Sequence, residues 1–96
     1  MKKYNLEFDK KASKDILSLD KNTRKFILNE LEIFISNFDK EYENELIKRS
    51  KIKALKGEFR GLNRLKLRTY GVIYGKHNDK LIILVLRVSH RKNVYK

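Results

Sequence analysis

Residues 81–86, Leu-Ile-Ile-Leu-Val-Leu, form an apolar run without a break. It falls far short of the roughly 20 residues that a membrane-spanning helix needs. The turn signal His77-Asn78-Asp79 precedes it and Arg87 follows it, so it reads as one strand over 80–88. A strand that is apolar on both faces belongs in the interior of a sheet, with neighbours on each side. Residues 62–68 supply one neighbour. They alternate, with Leu65 and Leu67 on one face and Arg64, Lys66 and Arg68 on the other. Tyr70 to Lys76 forms another strand, and residues 4–8 form a short first one.

Helices fill the gap between residue 8 and the later strands. Asp9 is an N-cap for a helix over 10–19, and Asn22 or Thr23 caps a second. In the second helix Ile27, Leu31, Phe34 and Phe38 recur at i, i+4, i+7 and i+11, widened by Leu28 and Ile35. Residues 39–50 hold four of the chain's twelve acids and read as an exposed helical extension or a loop. Residues 51–61 lead into the sheet, with turns at Gly57 and Gly61. The expected architecture is a single α+β domain over 1–96. An N-terminal strand and a two-helix hairpin pack on one face of a small, mainly antiparallel four-stranded sheet.

The charge is segregated. Residues 1–50 carry 11 Lys and Arg against 10 Asp and Glu, a net of +1. Residues 51–96 carry 13 Lys and Arg against Glu58 and Asp79 alone, a net of +11. Solubility does not require such segregation, whereas a polyanionic partner such as nucleic acid does. Cysteine is absent, which excludes disulfides and thiolate metal sites. The N-terminus lacks the apolar core of a signal peptide, so a cytoplasmic protein with no membrane association is expected.

The candidate site follows from the alternation. Leu65 and Leu67 must face the helices, which leaves Arg64, Lys66 and Arg68 on the opposite face. The end of the next strand is expected to bring Arg87, His90, Arg91 and Tyr95 to that face. Adjacent cations repel one another, so such a cluster suits a phosphodiester, and Tyr95, Tyr70 or Tyr74 offers a ring on which bases stack. RNA is cut without metal when a base takes the 2′-hydroxyl proton, an acid protonates the leaving 5′-oxygen and cations neutralise the phosphorane between them. A metal-dependent nuclease needs clustered acids, and this half of the chain has two. Crowding by neighbouring cations is how Lys66 would lose its proton and act as the base. His77 falls in a turn and is expected to be exposed.

The stretches "ALKGEFRGLNRLKLRTYGVIYG" and "LIILVLRVSHRKNVYK" resemble the RelE/ParE toxin superfamily, in particular its RelE-like branch. The resemblance covers about the last 43 residues and is most specific in "SHRKNVYK". It implies a toxin of a type II toxin–antitoxin pair that enters the ribosomal A site and cuts mRNA there. Carried over by position, it implies Lys66 as general base, Arg64 as transition-state stabiliser and Arg91 as acid or phosphate ligand. Tyr95 would orient the substrate nucleotide, with His90 a second candidate acid. Arg68, Arg87, Lys56, Arg60 and Lys92 would bind RNA phosphates. No metal or other cofactor is implied. The partners would be a cognate antitoxin, the ribosome and mRNA, with operator DNA reached only through the antitoxin. One position departs from the pattern: Gly71 stands where the family usually has the arginine of Tyr-Arg-Val-Ile-Tyr. The alternatives are a ParE-like toxin that poisons gyrase and cuts nothing, and a non-catalytic RNA-binding protein.

Overall fold

The structure is a computed structural model that describes residues 3–90. Nine elements follow in order: β1 (Asn5–Phe8), α1 (Lys10–Leu17), α2 (Lys21–Asn37), α3 (Lys40–Lys48), β2 (Ile52–Ala54), a 3-10 turn (Gly57–Phe59), β3 (Asn63–Leu67), β4 (Tyr70–His77) and β5 (Ile82–His90). The sheet runs in the order β1-β5-β4-β3-β2, with β1 parallel to β5 and every other pair antiparallel. The α+β class holds, with one strand and one helix more than the sequence reading gave. The run of apolar residues does sit inside the sheet, flanked by β1 and β4.

Caps explain where the helices begin. The Asp9 carboxylate accepts from the Lys11 amide at 3.0 Å and opens α1. Asp20, rather than Asn22 or Thr23, opens α2, accepting from the Thr23 amide at 3.2 Å. The α1–α2 corner is closed by Arg24, whose guanidinium donates to the carbonyls of Ile16, Leu17 and Leu19 at 3.3, 3.4 and 3.1 Å. That is why α1 stops at Leu17, two residues short of the expected end. Gly57 and Gly61 take φ of +69° and +91°, the left-handed conformations that the turn into β3 needs.

All three helices lie on one face. The stripe Ile27, Leu31, Phe34 and Phe38 is buried, and it meets Leu65, Leu67, Val72, Tyr74, Ile83, Val85 and Val88 of the sheet. Phe34 packs edge-on against Phe38 at 5.2 Å and Tyr74 at 5.4 Å. Leu28, expected in the stripe, is exposed. Among the described residues no helix is long and apolar enough to cross a membrane.

Residues 39–50 are not a free polar extension. Asp39 caps α3 through the Tyr42 amide at 2.7 Å, and Glu43 of α3 is buried. Its carboxylate accepts from the Tyr74 hydroxyl at 2.7 Å and from the Lys76 ammonium at 2.6 Å. Burial, then the hydrogen bond to Glu43 and its charge, push the Tyr74 phenol far above its usual range. Tyr74 is therefore a core residue and not a stacking platform. A second acid, Asp15 of α1, takes Arg87 of β5 in a two-pronged pair at 2.8 and 3.1 Å and also accepts from the Val88 amide at 2.9 Å.

Glu43→Ala leaves a buried phenol and a shielded ammonium without their acceptor, and should cost about 2–4 kcal/mol of stability. Urea unfolding measures this; a midpoint matching the unaltered chain would show that the latch carries no weight. Asp15 gives a pH signature. Burial works against its charge, but the Arg87 hydrogen bond, the Val88 amide and the Arg87 charge together hold its carboxyl below the ordinary value of 3.8. Its stabilising contribution is therefore complete above the ordinary aspartate range and is lost as pH falls through 3.8 toward the lower folded-state value. Asp15→Asn should lower stability near neutrality and flatten this acid limb, which pH-resolved thermal melts would read.

Candidate nucleic-acid interface

Strand register sorts the candidate residues by face. Lys53, Arg64, Ile73 and Arg87 stand opposite one another across β2, β3, β4 and β5. Lys66, Gly71 and Ser89 form the next such row. Leu65 and Leu67 alternate with these positions and are buried under the helices. Both rows therefore belong to the face that the helices leave uncovered. Arg64 and Lys66 share it as expected, roughly 7 Å apart along the strand. Both are half-buried, and the Arg64 Nε is buried.

Lys66 occupies a particular place on β3. The short β2 pairs only with residues 63–65, and beyond it the Lys66 amide donates to the Lys51 carbonyl at 2.8 Å. The chain entering β2 thus closes the edge of β3 at Lys66, one residue beyond the paired strands. A depression of about 550 Å³ lies there, lined by Ile47, Ser50, Lys53, Ala54, Arg64 and Lys66 among others. No acid is among its described lining residues. Lys66 also borders a groove of about 320 Å³ on the helix side, where Phe26, Ile33 and Tyr42 line the gap between α2 and β3.

Three expectations about this face are corrected. Arg68 does not join Arg64 and Lys66. It occupies the tight β3–β4 turn with φ of +57°, and its guanidinium lies over the Phe26 ring of α2 at 4.1 Å. The strand ends at Leu67, so alternation no longer governs the next residue. His90 pairs with Tyr70, which pairs with Leu67, so it is on the helix-side parity, edge-on to the Tyr70 ring at 5.5 Å. Arg87 has the right parity, yet its guanidinium turns to Asp15. Lys56 and Arg60 are exposed on either side of the 3-10 turn. Arg91, Lys92 and Tyr95 lie outside the described residues.

Gly71 is buried between Lys66 and Ser89, and its backbone is not in the positive-φ region occupied by Gly57 and Gly61. Backbone geometry therefore does not require a glycine there. Sequence reasoning missed Lys53, because β2 was read as a lead-in to the sheet. With three residues, Ile52–Ala54, the strand offers no periodic signal to read.

A profile described as the ParE toxin of the type II toxin–antitoxin system parDE matches residues 6–95. No curated protein sequence matches the chain. Among solved structures, the RelBE2 toxin–antitoxin complex of Mycobacterium tuberculosis is similar at 21% identity, covering 94% of this chain and 100% of that one, with a TM-score of 0.68. YafQ from Escherichia coli is similar at 14% identity, covering 98% and 100%, with a TM-score of 0.72. The RelB–RelE complex of Methanococcus jannaschii is similar at 26% identity, covering 94% and 95%, with a TM-score of 0.62.

The Arg68 placement is testable. Arg68→Ala removes the cation over Phe26 without changing the backbone demand of the turn, and should lower stability by about 0.5–1 kcal/mol. Adding Phe26→Leu should erase most of that difference in a double-mutant cycle. Additive losses would mean that the two side chains do not interact.

Proposed function

We propose that this chain, which belongs to the ParE/RelE family of type II toxin–antitoxin toxins, is an endoribonuclease that cuts mRNA in the ribosomal A site without a metal ion. The observation that carries this reading is the placement of Arg64 and Lys66 together on the uncovered face of the sheet, beside a depression with no acid among its described lining residues. Lys66 takes the proton of the 2′-hydroxyl. The 2′-oxygen then bonds to phosphorus as the bond to the 5′-oxygen breaks, leaving a 2′,3′-cyclic phosphate and a 5′-hydroxyl. Arg64 neutralises the charge that builds on the non-bridging oxygens. His90 is on the other parity, so the proton for the leaving oxygen is assigned to Arg91, with Tyr95 orienting the nucleotide. The partner that restrains this activity is a cognate antitoxin with acidic, amphipathic segments. Its fit to a chain of net charge +12 is electrostatic as well as apolar, and operator DNA is reached only through it.

A second reading is a gyrase-poisoning toxin without nuclease activity. The description of the matched profile favours it, and so does Gly71 in place of the RelE-like arginine. Primer-extension mapping of cellular mRNA during expression separates the two. Codon-spaced cuts support the nuclease, whereas an induced DNA-damage response with intact messages supports the gyrase poison. In the first case Lys66→Ala should reduce cleavage by at least about 10²-fold. Gly71→Arg should raise both cleavage and growth inhibition, by up to about 10²–10³-fold if it restores a phosphate donor. Equal toxicity of the two forms would rule out attenuation by Gly71.

A further inference from the structure

We propose that Lys53 and the depression beside it form a second phosphodiester subsite, which holds the RNA backbone next to the phosphate engaged at Lys66. This inference rests on the nuclease reading above and adds a residue to it that the family pattern does not supply.

The placement comes from β2. Lys53 stands directly across from Arg64 in the antiparallel pair, so its side chain shares the uncovered face. Like charges directly opposite one another disfavour the pairing of two strands. Here the pair is nevertheless built into the edge of the sheet. Lys53 is exposed and makes no ion pair with a described residue. Glu45 of α3 pairs with Arg49 at 3.5 Å.

The three cations form a bent track. It runs along β3 from Lys66 to Arg64, then crosses to Lys53 on β2. The step from Lys66 to Arg64 is roughly 7 Å, comparable with the separation of successive phosphates in an extended single strand. The depression of about 550 Å³ lies beside this track and has the volume of a small-ligand site. Ile47, 45% exposed, and Ala54 give it an apolar wall against which a base can rest. Lys53 acts here by holding the strand. It is not assigned a part in proton transfer.

The test measures binding of a short 2′-O-methyl oligoribonucleotide, which cannot be cleaved because its 2′-oxygens are blocked, as a function of salt. Lys53→Ala should weaken binding and lower the slope of log K against log salt by about 0.7, the value for one phosphate contact on a single strand. Lys53→Arg should retain the slope. Lys14→Ala, which removes an equal charge from α1, controls for net charge and should change it little. Should Lys53→Ala match Lys14→Ala while Lys66→Ala still loses affinity, this subsite is refuted and the nuclease reading stands. Should the unaltered chain fail to bind the oligonucleotide at all, the subsite is refuted, while the nuclease reading is decided by the mRNA cleavage map. Polyglutamate provides the last arm: if Lys53→Ala weakens its binding as much as it weakens RNA binding, the patch is an acidic-protein contact and the proposal is overturned.

Discussion

β5 is the strand on which the rest of the architecture depends. It pairs with β1 in parallel through Ile82–Val85 and with β4 in antiparallel along its whole length, so it joins the N-terminal strand to the hairpin strands. Ile83, Val85 and Val88 fill the helix-side core from it, while Ile82 and Leu84 are half-buried on the opposite face. A strand with apolar groups on both faces has no cheap alternative position, and its central place fixes the register of its neighbours. Register then decides function, because a one-residue slip would exchange the two faces of every strand. The rows Lys53–Arg64–Ile73–Arg87 and Lys66–Gly71–Ser89 exist only in this register.

Acids from the first half of the chain sort the cations of the second. Asp15 reaches the free edge of β5 and takes Arg87 and the Val88 amide. Glu43 reaches from α3 under the sheet and takes Lys76 together with the Tyr74 hydroxyl. Each attaches a helix to the sheet, Glu43 through a buried carboxylate that is costly to leave unpaired and Asp15 through a partly exposed pair. Lys53 and Lys66 make no ion pair with a described residue. The net of +11 in residues 51–96 is thus not a uniform field. Part of it is structural and neutralised at the helix contacts, and part of it is left at the β2–β3 edge.

The strands were legible where one face is buried. Alternation at Leu65 and Leu67 separated Arg64 and Lys66 from the core correctly, and the helical stripe through Phe38 was legible for the same reason. The errors fall where periodicity is silent. β2 has only Ile52–Ala54, too few residues to display a period against a background of lysines. Glu43 is a carboxylate in a polar stretch, and nothing local announces that Tyr74 and Lys76, over thirty residues away, will bury it. Arg68 was assigned by extending an alternation one residue past the end of its strand. His90 and Arg87 differ by three positions, so a straight strand cannot present both on one face.

Gly71 sits at the centre of this face. It lies across from Lys66 on one side and Ser89 on the other, so the row beside the candidate base carries a glycine and a small serine. Its φ does not call for glycine, and glycine in a strand interior forfeits stability. What a glycine here changes is the charge beside Lys66. An arginine at that position would add a cation directly opposite Lys66, on the β4 flank of β3. In this chain the additional cation stands on the other flank, at Lys53, across from Arg64. The positive charge around the β3 edge is therefore shifted from the inside of the sheet toward β2, where it meets the depression and solvent. A strand of RNA laid on this face would meet Lys53 at the sheet margin, with Lys66 at the inner end of the track.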